Sequence, residues 1–319
     1  MTVKPIAMRD ALLTRVWEAM NHDKSIFFVT ADFGSPILDG IRSDFPERFV
    51  NVGVAEQNLI NVSAGLSLEG QTVFAYAIAP FITMRCFEQL RVSLALLSQV
   101  RSMNINLIGV GAGYSYVVSG PTHQCYEDLT LMRSLPAFQV LSPADHVTAA
   151  SFIDVCLQER GPKYLRFDAQ VLPVIYEEAP SRRLGFYVHR RCGTVCLIAT
   201  GYMLHTAFKA ADRLAVEGIA VSVVDLFDIT GFDPEAMALL IAKHAGVVTM
   251  EEGFRGRGGL DALFFEFIAR RGLQVRHLNI GVTPGYRFEV GIRAELHEHV
   301  GIGELAVTAS VREFASELG

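Results

Sequence analysis

A single carboxylate stands at the head of an apolar segment. In Asn51-Val52-Gly53-Val54-Ala55-Glu56-Gln57-Asn58, Glu56 comes just before the run from Leu59 to Leu68. A buried carboxylate is costly unless it is protonated or matched to a partner. At the start of a helix it can hydrogen-bond a ligand that enters there, although the helix dipole alone also favours a Glu at that place. Further on, Gly120-Pro121-Thr122-His123-Gln124 presents an imidazole at the end of a loop. Imidazole moves protons near neutral pH. Phe81 and Arg85 lie in Pro80-Phe81-Ile82-Thr83-Met84-Arg85-Cys86-Phe87-Glu88-Gln89. The ring of Phe81 can stack on a heteroaromatic ligand or serve as core. Arg85 can line a site or pair with Glu88 or another acid. Arg166, at the end of a strand, and Arg9, in Met8-Arg9-Asp10-Ala11, carry guanidinium forks. Such forks suit phosphate and ordinary ion pairs alike. Asp32 follows a short apolar strand and either sits at a site or caps the next element. Cys192 and Cys196 have no accompanying His/Cys cluster, so no metal site is expected there, and buried free thiols in a reducing cytosol are the better reading.

The elements that must position these groups alternate between strand and helix. Helical patterns cover Ala7 to Met20, Leu59 to Leu68 and Phe81 to Leu97, with a further one across Ala144 to Gln158. Short apolar strands are read at Ser25–Thr30, Thr72–Ile78, Asn106–Val110, Phe138–Leu141 and Lys163–Phe167. Short apolar strands separated by helices predict a parallel sheet covered on both faces. The stretch Val171 to Arg191 contains Pro173 and Pro180 and lacks either period, so it reads as a linker. Alternation then restarts at Thr194 and continues to a terminal helix near Glu304–Leu318. The expected fold is α/β with two domains, 1–170 and 192–319, each a mostly parallel sheet flanked by helices.

Composition bounds the function. The chain has 319 residues, enough for two domains of ordinary size. Half of the residues are hydrophobic and 19% are charged, which predicts a packed core rather than disorder. A net charge of −6, with Lys and Arg scattered, argues against nucleic acid as a partner. No run approaches the roughly 18 apolar residues of a membrane span. Met1-Thr2-Val3-Lys4-Pro5 lacks the apolar core of a signal peptide, so a cytoplasmic location is expected.

Read together, the Glu56 and His123 motifs resemble the pyrimidine-binding domain of thiamine-diphosphate enzymes of the transketolase family. The second half resembles the C-terminal domain of the same family. There, Thr249-Met250-Glu251-Glu252-Gly253, Gly256-Arg257-Gly258-Gly259 and Leu278-Asn279-Ile280-Gly281 are particularly similar to deoxyxylulose-phosphate synthase. The resemblance implies that Glu56 hydrogen-bonds the aminopyrimidine ring of thiamine diphosphate and so activates it, a task that needs a carboxyl able to hold or share a proton. It implies that Phe81 stacks on the pyrimidine, with Ile78 where a second aromatic is usual, and that Arg85 and Asp32 lie near the cofactor. It implies substrate contact and proton transfer for His123, and places Arg166 and Arg9 as candidates to hold a substrate phosphate.

Two departures qualify that reading. The loop before Thr122-His123-Gln124 has Gly111 where the family has a His, and Val118-Ser119 where it has an acidic pair. Tyr114, Tyr116, Val117 and Val118 also make the loop more apolar. A site that loses buried hydrogen-bond partners loses discrimination for substrate hydroxyls. The second departure is architectural. The family holds the diphosphate through Mg²⁺ with a Gly-Asp-Gly motif, and no Gly-Asp-Gly occurs in this chain. The resemblance therefore implies a split enzyme in which a partner subunit supplies the diphosphate and Mg²⁺ half, in an α2β2 assembly. The expected activity is transfer of a two-carbon ketol or acyl unit from a ketose or 2-oxo acid to an aldehyde-type acceptor. The alternatives are a deoxyxylulose-phosphate-synthase-like or 2-oxo-acid dehydrogenase E1 beta-like subunit, or a non-catalytic partner of a thiamine-diphosphate subunit.

Overall fold

The computed structural model describes residues 4–318. The first sheet has six strands: β1 (Ile26–Thr30), β2 (Phe49–Asn51), β3 (Thr72–Ile78), β4 (Asn104–Val110), β5 (Gln139–Leu141) and β6 (Gly161–Phe167). Their order is β2-β1-β3-β4-β6-β5, and every pairing is parallel. All seven residues of β4 and six of the seven in β3 are buried. Strands covered on both faces read as continuous apolar runs, which is why they are legible in the sequence. The helix Met8–Met20 packs on His146–Gln158, and the helix Glu56–Leu68 packs on β3.

The second sheet has five strands: β7 (Phe186–Arg190), β8 (Val195–Ala199), β9 (Val221–Leu226), β10 (Gly246–Phe254) and β11 (Arg276–Val282). The order is β11-β10-β8-β9-β7, parallel throughout except for the antiparallel edge pair β7–β9. The helices Met203–Val216 and Glu304–Ser316 pack on each other. The α/β class with two mostly parallel sheets is as expected.

Several details differ from the expectation. The stretch read as a linker, 171–191, ends in strand β7. Its residues alternate only weakly because an edge strand has little to bury. The sequence pattern does not show the helix Pro36–Asp44, strand β2 or the short helix Arg293–His299. The segment read as one helix from Phe81 to Leu97 is π-helical over Phe81–Arg85 and Leu90–Leu96, with one α-turn between. Side chains take part in the wider turns: Thr83 Oγ1 donates to the Ala79 carbonyl at 2.7 Å, and Cys86 Sγ donates to that of Ile82 at 2.9 Å.

The chain forms two compact units that exchange a segment. The first comprises the chain up to Ala112 together with Leu131–Ala179, and the second comprises Gly113–Thr130 and the chain from Pro180 onward. Beside the range 192–319 read from the sequence, the second unit thus takes in residues 113–130. Residues 113–130 lie within the first half of the sequence but pack with the second sheet, for reasons that only long-range contacts supply.

Candidate active site

In the first unit the candidate residues gather at the carboxyl ends of the parallel strands. Strand β1 has β2 on one side and β3 on the other, so the connection leaving β1 runs to one side and that leaving β3, toward β4, runs to the other. Ligands of open α/β sheets bind at such switch points, outside the carboxyl ends of the strands. Asp32 follows β1, Glu56 follows β2, and Ile78, Phe81 and Arg85 end or follow β3.

The approach to Glu56 is built by Asn51. Its Oδ1 accepts from the N–H of Asp32 at 3.1 Å and of Gly53 at 3.0 Å, and its Nδ2 donates to Asp32 Oδ1 at 3.1 Å. Asp32 holds a left-handed backbone, with φ 54°, and is the only non-glycine among the described residues to do so. Asp tolerates that region better than most residues. Gly53, with φ 75°, then turns the chain into the helix that begins at Glu56. Asn51 opens the Glu56 motif and organises it, a role the motif alone does not show. An Asn two residues before a glycine is the signal that could have found it.

Glu56 is 3% exposed and accepts a hydrogen bond from Arg85 Nη1 at 2.7 Å. The Arg85 guanidinium also lies over the Phe81 ring, 4.3 Å from its centroid. Of the partners considered for Arg85, the structure therefore selects Glu56 rather than Glu88. Beside Glu56 and Arg85 is an open cavity of about 480 Å³, lined also by Ala55, Gln57, Asn61 and Gln89. Arg85 is 46% exposed, so it can swing away without unpacking the core.

The arginine candidates have separate settings. Arg9 Nε pairs with Asp10 Oδ1 at 3.2 Å, half-buried at the start of the first helix. Arg166 is buried on β6, opposite Gly109 of β4. His123 belongs to the second unit, whereas Glu56, Phe81, Ile78, Arg85 and Asp32 belong to the first. Gly120, with φ 69°, makes the turn before His123, and its carbonyl accepts from the N–H groups of His123 and Gln124 at 3.1 and 3.2 Å. Thr122 Oγ1 and His123 Nδ1 are 2.9 Å apart, and Tyr116 meets the imidazole edge-on. Val118, near the loop tip, is exposed, whereas Tyr114 is buried at the loop base. Tyr114 therefore contributes to packing rather than to an apolar pocket.

No helix of the described residues is long and apolar enough to cross a membrane. Among the described residues no three His, Cys, Asp or Glu side chains gather where they could hold a metal ion.

Comparison with known proteins shows the family and the fold. The family model described as "Transketolase, pyrimidine binding domain" matches residues 4–174, and the one described as "Transketolase, C-terminal domain" matches residues 187–307. The chain belongs to the transketolase family. A relative from Actinobacillus succinogenes, named as a subunit of apulose-4-phosphate transketolase, is 33% identical over 81% of this chain and 82% of its own. A solved structure titled "Split gene transketolase, inactive beta4 tetramer" superposes with a TM-score of 0.84 at 30% identity, covering 98% of this chain and 99% of that one. The transketolase from Campylobacter jejuni shares the fold, with a TM-score of 0.82 at 19% identity, but only 47% of its chain is covered. The transketolase fold of this chain thus corresponds to about half of that enzyme.

Proposed function

We infer that this chain is the subunit of a split, thiamine-diphosphate-dependent transketolase-like enzyme that carries the pyrimidine-activating carboxyl, and that it works only with a partner subunit. The observation that carries this reading is Glu56. It is a buried carboxyl at a helix start, beside an open cavity, with a movable guanidinium and an aromatic ring next to it. These residues fit an aminopyrimidine. Glu56 can hydrogen-bond its ring nitrogen, Phe81 and Ile78 offer apolar surface for stacking, and Arg85 can yield the position it holds. Relatives that align over most of their own length and are named as transketolase subunits support the need for a partner.

Thiamine diphosphate would supply the carbon nucleophile and the electron sink, chemistry that no side chain provides. The task of this chain is to bind, orient and move protons. Glu56 would hold a proton at the pyrimidine nitrogen, at the edge of the cavity. His123, half-buried and held at Nδ1 by Thr122, carries protons to and from the substrate oxygen. Arg9 and Arg166 are the candidates to bind a substrate anion, and Asp32 lines the cofactor approach. The partner holds the diphosphate and its Mg²⁺ on a Gly-Asp-Gly motif, in an α2β2 assembly in the cytoplasm, and the substrates are small molecules. The donor is a ketose or 2-oxo acid, and the acceptor an aldehyde.

The test is reconstitution. The chain is mixed with a candidate partner subunit, thiamine diphosphate and Mg²⁺, and CO2 release from hydroxypyruvate and pyruvate is measured beside ketose turnover. Turnover that requires both chains, and that falls in a still-assembled Glu56→Ala complex, supports the reading. An assembled complex whose turnover ignores Glu56→Ala would sink it.

A further inference from the structure

The second half of the chain contains a buried ionic cluster with no role in the chemistry so far described. Glu252, 1% exposed, lies near the carboxyl end of β10, where the register with β11 shifts between Met250 and Phe254. Such irregularities re-aim side chains next to active sites. Its carboxylate accepts from Arg293 Nη2 at 2.8 Å on both oxygens and from Arg293 Nε at 3.2 Å. His297 Nε2 lies 2.7 Å from Oε1, and the same oxygen accepts from the Tyr114 backbone N–H at 3.2 Å. Arg293 and His297 are themselves 4% and 2% exposed. The Arg293 guanidinium lies over Tyr202, and His297 packs edge-on against Tyr114 and Tyr202.

The backbone bond to Tyr114 gives the cluster its meaning. Gly113 and Cys125 exchange both backbone hydrogen bonds, at 2.9 and 3.0 Å, and so close the loop that carries His123. Tyr114 packs on Tyr126, which packs on Phe254 and whose hydroxyl donates to Gln124 Oε1, beside His123. At the far end of the loop Glu127 accepts from the Tyr286 hydroxyl at 2.9 Å, and Thr130 Oγ1 donates to the Arg257 carbonyl at 3.0 Å. A Cβ on Gly113 would overlap the Glu252 carboxylate, so loop base and carboxylate are fitted to each other. A hydrophobic group could fill this volume, and burying ions is costly. A carboxylate fixed by an arginine and a histidine instead sets one position for one backbone N–H.

We propose that Glu252, held by Arg293 and His297, is a positioning residue for the His123 loop, so that the C-terminal domain sets where the proton carrier of the reaction stands. This rests on the reading of His123 given above.

The test uses the reconstituted complex with thiamine diphosphate, Mg²⁺ and hydroxypyruvate. Glu252→Gln keeps the shape but weakens the hold of Arg293. Gly113→Ala keeps every charge but drives a methyl against the Glu252 carboxylate, and so forces the loop base and the carboxylate apart. Each is expected to lower kcat by roughly 10- to 100-fold, the scale of a small misplacement of a reacting group. Cofactor affinity, measured by calorimetry, is expected to stay within about twofold, because Glu56 and Phe81 are untouched. In a His123→Ala background Glu252→Gln should cost less than about twofold more, because groups acting as one unit are not additive. Equal losses in both backgrounds, or full kcat in a folded Glu252→Gln complex, would overturn the proposal. So would failure of both variants to fold, which would make the cluster a folding requirement. If His123→Ala itself leaves turnover intact, the reading of His123 fails. Hydrogen exchange then decides the loop question separately: unchanged protection of the 114–125 amides in Glu252→Gln refutes the positioning role.

Discussion

Glu56 and Glu251 are both buried carboxyls, and their neighbours set them different tasks. Glu56 has a movable arginine beside it and a cavity in front. Glu56→Gln keeps one hydrogen-bond acceptor but cannot exchange a proton, so turnover of the reconstituted enzyme should fall by about 10²–10⁴-fold, the usual share of general acid–base catalysis. Sedimentation should show the complex still assembled. Glu251 accepts from Asn279 Nδ2 at 3.1 Å and from the Asp261 N–H at 3.3 Å, at the head of the helix Leu260–Arg271. Burial pushes its carboxyl up to about 7, against these hydrogen bonds. A carboxyl raised on folding contributes stability that is fully present below its unfolded value near 4.5 and is lost as pH rises through 7. Across that range the loss is roughly 3 kcal/mol. Glu251→Gln should remove that slope. Urea unfolding at pH 5 and pH 8 should show the variant gaining on the parent at the higher pH, and an equal difference at both would refute the assignment. The residue type and helix-start position of Glu56 were legible in the sequence. The burial of Glu251 was not, because it depends on β11 and the helix after it.

Among the elements, the strands and long helices were legible where the apolar pattern is continuous, as in β3 and β4. The π-helical run after Phe81 was not, since its apolar period differs little from that of an α-helix. Asp145 shows the same limit. It lies inside the segment read as a helix from Ala144, yet it caps the helix that begins at His146, its Oδ1 accepting from the Thr148 N–H at 2.9 Å. Its Oδ2 also accepts from the N–H groups of Ile175 and Tyr176, both at 2.9 Å, and so ties down the chain end of the first unit. A simple cap is worth about 1 kcal/mol. Asp145→Ala strands two buried donors and a half-buried one and should cost about 2–4 kcal/mol in denaturant unfolding, with Asp145→Asn recovering part of it. A loss near that of a simple cap would show that the 175–176 bonds contribute nothing.

At the scale of the whole molecule, the proposed function makes this chain one half of an active site. Alone, it should release no CO2 from hydroxypyruvate with thiamine diphosphate and Mg²⁺ present, and adding the partner subunit should restore release in proportion to the complex formed. Activity of the isolated chain would refute the split arrangement. What the sequence determined by itself were local properties: the alternation that makes an α/β fold, a carboxyl at a helix start, an imidazole after a glycine turn, and the lack of a Gly-Asp-Gly motif. Each rests on residues close together in the chain. Only the tertiary structure decided that Arg85 is the partner of Glu56, that residues 113–130 pack with the second sheet, and that Glu252, Arg293 and His297 meet the Tyr114 N–H. These depend on contacts between distant residues, and a buried charge takes whatever partner the packed fold brings within hydrogen-bonding reach.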